Sequence, residues 1–283
     1  MTAGPLTLRA AIGRYAHSAP VLDGIATSPL LRIEDAGIRP ISKAFAPMVR
    51  EGRFDLSEMA IATFLMAKEA GRPLVLLPVV MASRFQEGAL LCLKGSAIRG
   101  PADLRGKRVG VRAYSQTTGL WLRGTLAEHG VPSDSVRWVT FEDAHEPTYH
   151  DPPWAERAPA GADIAAMLRD GSLDAAIFGN ELPEGDDLRP VFPDPAAAGE
   201  AFRARHGFVP VNHLLVLRRD VAEAHPEIAP EIVRLLGGIT PPGGRTALNP
   251  ALTLATRLCV EQGLMKRPLT LAEIWDGTPP TTD

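Results

Sequence analysis

The sequence has little of what would tie it to a membrane, a nucleic acid or an oxidising compartment. Its 283 residues include only two cysteines, Cys92 and Cys259, both in apolar surroundings and without metal-type spacing. Lys and Arg number 30 against 33 Asp and Glu, for a net charge of -3, so no positive field attracts nucleic acid or an anionic membrane. The apolar stretch 74–81 is too short to span a bilayer and contains Pro78. We expect buried free thiols and neither nucleic-acid nor membrane partners.

Several functional signatures are also missing. The chain has no Gly-rich phosphate loop, no Gly-x-Ser-x-Gly nucleophile elbow and no dinucleotide fingerprint. Asp143, His145 and His150 lie in a Pro-rich stretch, but their spacing matches no strong ligand pattern, so we expect no metal. The N-terminal residues lack the basic and apolar regions of an export signal, which favours a cytoplasmic location.

One segment of the chain occurs twice. Residues 48–56 (MVREGRFDL) and 167–175 (MLRDGSLDA) share a helix end, a glycine and an apolar-Asp-apolar strand start. Glycine just past a helix supplies the left-handed residue that ends it, and a buried strand follows. Two such units predict two α/β lobes, and chance recurrence of helix-stop glycines is the alternative. Because pockets form at domain boundaries, we expect a small ligand in a cleft between the lobes.

The hydrophobic pattern predicts alternating strands and helices. Strands are expected at 6–12, 54–58, 74–80, 89–93, 107–111, 136–141, 173–178 and 208–217, and helices at 42–51, 60–70, 118–127, 162–170, 200–206, 226–237 and 247–262. Residues 142–161 show no periodicity, and the Gly- and Pro-rich segment 237–244 cannot be helical. If two strands carry the chain between the lobes, lobe one is 1–92 plus 207–283 and lobe two is 93–206, with a hinge between them.

The strongest local signal follows the strand that ends near residue 111. A loop rich in hydroxyl and amide groups precedes a helix there, and it contains Tyr114, Ser115, Gln116, Thr117 and Thr118. Free backbone N–H groups and the positive end of the helix dipole favour an anion at such a place, and a carboxylate fits without a metal. The alternative is that Ser115 or Thr117 merely caps the helix.

Polar side chains also follow the strands of lobe one, where ligands of open α/β sheets collect. These substrate-binding and catalytic candidates are Tyr15, His17, Ser18, Ser57, Glu58 and Arg84. Ser18 is also expected to cap a helix. Arg84 could clamp a carboxylate bidentately or form a salt bridge, with Glu58 as one partner.

Two histidines are candidates for the catalytic acid. His17 could donate a proton near neutral pH, but a solvated loop histidine is the favoured alternative. His213 follows Asn212 near the expected hinge, and it either faces the cleft or is a satisfied core histidine.

Several motifs resemble 4,5-dihydroxyphthalate decarboxylase and its relatives. They are FDLSEM at 54–59, the stretch 78–84 ending in Ser83-Arg84, DLRGKRVGV at 103–111, Tyr114, WLRG at 121–124 and PVNH at 210–213. The resemblance runs nearly end to end. It implies an α/β, two-lobed fold of the type II periplasmic-binding-protein kind, with mixed sheets flanked by helices and a cleft between the lobes. It also implies a carboxy-lyase that uses no organic cofactor.

The chain departs from that family at the places where function would lie. An Asp-Arg-Thr-Arg run after the first-strand tyrosine is replaced by 16–19, an Arg-His pair by Glu87-Gly88, and Pro-Glu-Tyr-Gln-Met-Thr by 112–117. Cationic groups suited to a dicarboxylate are thus missing or moved. We expect a decarboxylase-like lyase for a small hydroxylated aromatic acid, with His17 or His213 as the acid. The alternative is a non-catalytic solute-binding protein for a small organic acid, and a homo-oligomer is left open.

Overall fold

The chain alternates short strands with helices, and the computed structural model describes residues 4–179, 181–237 and 244–282. In chain order the strands are β1 (Leu6–Ala11), β2 (Leu31–Asp35), β3 (Leu56–Ala60), β4 (Leu74–Ser83), β5 (Leu90–Leu93), β6 (Arg108–Val111), β7 (Arg137–Thr140), β8 (Ala155–Arg157), β9 (Ala175–Ile177), β10 (Leu188–Pro190) and β11 (Val211–Arg218). The α-helices are α1 (Ala19–Leu22), α2 (Phe45–Glu51), α3 (Ile61–Glu69), α4 (Thr117–Glu128), α5 (Ile164–Arg169), α6 (Pro195–His206), α7 (Arg219–Ala224), α8 (Ile228–Leu236), α9 (Gly244–Glu261) and α10 (Leu271–Ile274). Within the described ranges, no helix is both long and apolar enough to cross a membrane.

The fold consists of two compact units. Unit one comprises Met1–Ser83, Val211–Thr253 and Leu269–Asp283, and unit two comprises Arg84–Pro210 and Leu254–Pro268. The sequence placed the divisions near 92 and 206 instead. The difference arises because β5, expected to cross between lobes, pairs with β9 and β10 in the sheet of unit two. Arg84, expected in lobe one, therefore belongs to unit two.

Unit one is built on a five-stranded sheet of order β2-β1-β3-β11-β4. Strands β2, β1 and β3 are parallel, and β11 runs antiparallel between β3 and β4. All five residues of β3 are buried. Helix α8 contributes Ile228, Ile232 and Leu236 to the core, a spacing that puts all three on one face against the sheet.

Unit two is built on a six-stranded sheet of order β10-β5-β9-β6-β7-β8. Strands β9, β6, β7 and β8 are parallel, and β5 is antiparallel to both of its neighbours. A core cluster that includes Val139, Leu168 and Leu173 packs against it. Mixed sheets flanked by helices were predicted, and both sheets confirm it.

The repeated segment occupies the same place in each sheet. Helix α2 ends at Gly52, whose φ of 58° and ψ of 38° are left-handed, and Gly171 follows α5 with a φ of 81°. Strand β3 then pairs parallel with β1 and antiparallel with β11, while β9 pairs parallel with β6 and antiparallel with β5. One copy of the segment therefore lies in each of the two units.

Three short strands escaped prediction. Strands β2, β8 and β10 lie at sheet edges, and two of them are only three residues long, too short to show a period. Strand β8 lies within 142–161, the stretch in which the sequence shows no periodicity. Helix α9 contains Pro250 and starts three residues before its predicted beginning. Of the segment 237–244, expected to be non-helical, residues 238–243 lie outside the described residues. The expectation is wrong at Gly244, which is the first residue of α9.

Candidate functional site

The first group of candidate residues, in unit one, surrounds a buried carboxylate on β3. Glu58 is fully buried, and its Oε1 accepts a hydrogen bond from the Tyr15 hydroxyl at 2.7 Å. The same oxygen lies 2.6 Å from His213 Nδ1, and Oε2 accepts from the backbone N–H of Gly13 at 2.8 Å. Three partners thus satisfy a charged group that burial would otherwise penalise. A pair with Arg84 was one alternative from the sequence; the hydrogen-bond partners of the Glu58 carboxylate are Tyr15, His213 and Gly13.

Strand register brings His213 to Glu58. His213 on β11 faces Ala60 on β3, and Leu215 faces Glu58. Because side chains alternate along a strand, positions 213 and 58 lie diagonally on the same sheet face. The Phe45 ring packs edge-on against the imidazole, with centroids 5.2 Å apart, and restricts its rotation.

The charges in this cluster favour an ionised Glu58. Burial raises the pKa of Glu58, but the hydrogen bond and charge of His213, with the bonds from Tyr15 and Gly13, outweigh it and hold the pKa below its usual range. The pKa of Tyr15 is raised, first by burial and then by the Glu58 charge, so its phenol stays protonated and donates. An ionised Glu58 requires the hydrogen of His213 on Nδ1, which leaves Nε2 to exchange protons.

Ser18 and Gly13 shape the loop after β1. The Ser18 hydroxyl is fully buried, accepts from the Tyr15 N–H at 2.8 Å and donates to the Gly13 carbonyl at 2.7 Å. Ser18 stands at the start of α1, but its side chain makes no capping bond there. A Cβ on Gly13 would lie 2.5 Å from the Tyr15 ring, so only glycine lets this ring reach Glu58. Ser18 braces the loop instead of capping the helix as predicted.

His17 and Ser57 flank this cluster. The His17 ring stacks on Tyr15 with centroids 5.3 Å apart and planes 4° from parallel. Its Nε2 is buried and has no hydrogen-bond partner among the described residues. Burial lowers the pKa of His17, and the Glu58 charge opposes that shift. Ser57 is buried, and its hydroxyl donates to the Glu58 carbonyl at 2.8 Å, which assigns it a role within the strand.

In unit two, the remaining candidates gather where α4 begins. Gln116 is the N-cap residue, with extended backbone, and its side chain makes no capping bond within the described chain. The N-cap position is therefore neither Ser115 nor Thr117, the two residues that the sequence offered. Ser115, Thr117 and Thr118 are all buried.

Arg84 reaches this helix start. Its Nη2 donates to Thr118 Oγ1 at 3.3 Å. Arg84 Nε and Gln116 Oε1 are both buried without hydrogen-bond partners in the described part of the chain. Burial lowers the pKa of Arg84 and the Glu87 charge opposes that, yet a guanidinium remains cationic at any ordinary pH. A cation beside a helix N-terminus is suited to an anion such as a carboxylate.

Tyr114 lies in the core of unit two. Its hydroxyl accepts from Trp154 Nε1 at 2.7 Å, and its carbonyl accepts from Arg123 Nη2 at 2.7 Å. The Arg123 guanidinium stacks 4.0 Å from the ring centroid. Tyr114, predicted to bind substrate, has its hydroxyl engaged inside the protein. Sequence reasoning missed Arg123, although a lone charge inside the apolar run of α4 is a usable signal.

Metal binding receives no support from the described residues, where no group of three His, Cys, Asp or Glu side chains could hold an ion. Asp143, one of the three residues considered for a metal, forms an ion pair with Arg157.

These two α/β units define a fold of the periplasmic-binding-protein type. The structure is similar to the periplasmic sulfonate-binding protein SsuA from Methylobacillus flagellatus KT, with a TM-score of 0.55 and 11% identity. The match covers 96% of this chain and 91% of that one. A family model described as NMT1/THI5 like matches residues 40–151. The fold class predicted from the sequence is confirmed.

In sequence, the chain is similar to 4,5-dihydroxyphthalate decarboxylases. It is 28% identical over 253 residues to the protein of that name from Comamonas testosteroni, covering 81% of this chain and 73% of the relative. It is 29% identical over 187 residues to the one from Pseudomonas putida, covering 61% of this chain and 70% of the relative. The resemblance predicted from the motifs is confirmed.

Proposed function

We propose that this protein is a decarboxylase-like lyase that acts on a small hydroxylated aromatic acid. The observation that carries the proposal is the His213–Glu58 pair, in which a buried carboxylate fixes the imidazole at 2.6 Å. The named relatives supply the reaction class. Their substrate is a property of those proteins, and it guides the choice of test compounds here.

Decarboxylation of an aromatic acid requires the protein to donate one proton to the ring. Imidazolium Nε2–H of His213 donates its proton to the ring carbon that bears the carboxylate. The bond from that carbon to the carboxylate then breaks, CO₂ leaves, and the bonding electrons restore the aromatic ring. The ionised Glu58 fixes the orientation of the imidazole, and a proton taken from solvent restores the donor after the transfer. His17, whose lowered pKa keeps it neutral near pH 7, is the less suitable acid.

For the helix start of unit two we propose carboxylate binding. Arg84 offers its Nε, which has no hydrogen-bond partner among the described residues, and the N-terminus of α4 adds the positive end of its dipole. The Gln116 side-chain oxygen, which has no partner in the part of the chain that the structure describes, can accept a hydrogen bond from a hydroxyl group of the ligand. An acid that also carries a hydroxyl therefore matches this set of groups better than a plain carboxylate.

The test is turnover in D₂O. Purified protein is incubated with 4,5-dihydroxyphthalate, 3,4-dihydroxybenzoate and 4-hydroxybenzoate, and the products are analysed by mass spectrometry. We expect a product that lacks CO₂ and carries one deuterium on the ring at the vacated carbon. Recovery of every acid unchanged would contradict a lyase acting on this substrate class.

A second candidate is a non-catalytic binding protein for a small organic acid. It is favoured by the anion-binding groups of unit two, which need no chemistry to hold a carboxylate, and by the fold shared with SsuA. Thermal stabilisation by a panel acid without any product would support this function. The two candidates are separated in a single experiment when both readouts are taken from the same samples.

A further inference from the structure

His17 is held in place beside the Glu58 cluster of unit one. Its ring stacks on Tyr15, with planes 4° from parallel and centroids 5.3 Å apart. Tyr15 is itself fixed, because its hydroxyl donates to the buried Glu58 carboxylate at 2.7 Å. The backbone on either side of His17 is also fixed, since the buried Ser18 hydroxyl accepts from the Tyr15 N–H and donates to the Gly13 carbonyl. The imidazole is therefore a positioned group.

One nitrogen of this imidazole has no partner. His17 Nε2 is shielded from solvent and forms no hydrogen bond with any residue that the structure describes. A buried polar atom normally has a partner, because water is not there to compensate it. A ligand that brings a hydroxyl group to Nε2 supplies that partner. The atom thus marks a place in unit one where a polar group of a ligand can bind.

The surroundings of His17 keep its ring neutral. Burial lowers the pKa of His17, and the charge of Glu58 opposes that shift without reversing it. A neutral imidazole can accept a proton, which is the task opposite to the one proposed for His213. His213 contacts the Glu58 carboxylate directly, at 2.6 Å, and His17 stacks on the tyrosine that the same carboxylate holds. One buried carboxylate therefore organises both histidines.

We propose that His17 is a second catalytic residue, the general base that removes the proton of a ring hydroxyl para to the departing carboxylate. The inference rests on the proposed lyase function and adds a base to the acid His213. The hydrogen of the neutral His17 ring is assigned to Nδ1, so that Nε2 presents its lone pair to the hydroxyl. A para hydroxyl lies across the ring from the reacting carbon, and two separate residues can therefore serve the two positions.

The step conserves atoms and electrons. The hydroxyl O–H bond breaks, its proton moves to His17 Nε2, and the oxygen electron pair raises the electron density on the carbon that bears the carboxylate. That carbon takes the proton of His213 Nε2 and forms a C–H bond. The bond to the carboxylate then breaks, CO₂ leaves, and the bonding electrons restore the aromatic ring as a phenolate. His17 returns its proton to the phenolate oxygen, so the net reaction consumes only the proton that solvent gives to His213.

The test uses two variants of His17. His17→Phe keeps a flat ring to stack on Tyr15 but has no nitrogen, and His17→Gln keeps hydrogen bonding but cannot take up a proton near neutral pH. Each acid of the panel that the wild-type protein converts is paired with its analogue fluorinated beside the para hydroxyl. An example is 3,5-difluoro-4-hydroxybenzoate for 4-hydroxybenzoate. The rate of CO₂ release by the full-length protein gives kcat and KM, and circular dichroism checks the fold.

The fluorinated acids remove the need for a base. At about pH 8 an ordinary phenol keeps its proton, as tyrosine does. Fluorine withdraws charge from the neighbouring hydroxyl with little change in size, so the phenol of the analogue is largely ionised at that pH. The 4-methoxy analogue of each acid is the opposite control, because it keeps the oxygen but has no proton to remove.

We expect both variants to lower kcat on the hydroxy acid about 10²-fold, with a smaller change in KM, because the missing group acts on bond breaking. On the fluorinated acid the loss should shrink to less than about threefold, since no hydroxyl proton remains. Equal losses on the two acids would overturn the inference and indicate that the ring has a structural role. Conversion of the methoxy acid by the wild type at the rate of the hydroxy acid would also overturn it.

Failure of this inference can be distinguished from failure of the proposed function. A wild-type protein that converts a panel acid as fast as both His17 variants do is a lyase without this base. A wild-type protein that releases no CO₂ from any panel acid would contradict the lyase and the base together. Selective rescue of the His17 variants by the ionised acid would support both.

Discussion

His213 Nδ1 and the Tyr15 hydroxyl meet at the same oxygen of Glu58, at 2.6 and 2.7 Å. Two donors from elements far apart in the chain thus converge on one buried acceptor, and the other carboxylate oxygen is taken by the Gly13 N–H. A carboxylate with three donors is an anion held in a fixed direction. It orients the imidazole through Nδ1, and the proposed function assigns the proton transfer to Nε2.

Removing the imidazole should therefore remove turnover. We expect His213→Asn to lower kcat by about 10²- to 10⁴-fold, the usual contribution of a positioned acid. The measurement is the rate of CO₂ release from whichever panel acid the wild-type protein converts, with circular dichroism to check the fold. His206→Asn is the matched control, because His206 also pairs with a glutamate, Glu128 at 2.7 Å, but in unit two. A control that lost as much activity would contradict the assignment.

Arg84 should govern binding. Arg84→Ala removes the guanidinium that reaches Thr118, and we expect acid affinity to fall about 10- to 100-fold, the range for charge-assisted hydrogen bonds. Arg99→Ala, which removes an exposed arginine of the same unit, should change affinity by less than twofold. Unchanged turnover and affinity in the Arg84 variant would refute its role as an anion anchor.

The ionisation of Glu58 should make the free energy of unfolding depend on pH. Its folded-state pKa is lowered, so it contributes stability that is fully present above the unfolded-state pKa of a glutamate and is lost as pH falls through the folded value. We expect Glu58→Gln to cost about 3 kcal/mol at neutral pH, because it removes the charge that its partners hold.

The measurement is the free energy of unfolding from urea titrations between pH 7 and pH 3. The wild-type curve should fall below about pH 4.5 and approach that of Glu58→Gln. A constant difference between the two proteins over this range would mean that Glu58 is not ionised in the folded state.

Gly13 should tolerate no side chain. A Cβ there would meet the Tyr15 ring at 2.5 Å, so Gly13→Ala has to displace the ring from Glu58. We expect a loss of about 1–3 kcal/mol in unfolding free energy, typical of overpacking, together with lower turnover. Gly95→Ala, where a Cβ would meet nothing within 4 Å, is the control, and equal stability losses in both variants would contradict the steric argument.

Local sequence patterns predicted those parts of the fold whose signals are local. A window of about ten residues is enough to predict the helix ends before Gly52 and Gly171 and the apolar strand β4. The three-residue strands β8 and β10 do not, since pairing with a neighbour is what makes them strands.

The sequence predicted several residues of the candidate site, but it did not predict which of them bind one another. Glu58 was expected to need a partner, and the partner proved to be His213, 155 positions away, because the register of β11 on β3 sets that contact. Tyr114 was expected at the ligand, but its hydroxyl is held by Trp154. In each case a long-range contact decides the role of the side chain, and nothing near the residue in the sequence reveals it.

The position of β11 bears on the order in which the chain can fold during synthesis. In unit one this strand lies between β3 and β4, so a nascent chain that ends before Val211 lacks the strand that joins them. The sheet of unit two is already complete at Pro190. On the ribosome, unit two can therefore assemble its sheet before unit one does. Until β11 is synthesised, β3 and β4 each lack their neighbouring strand.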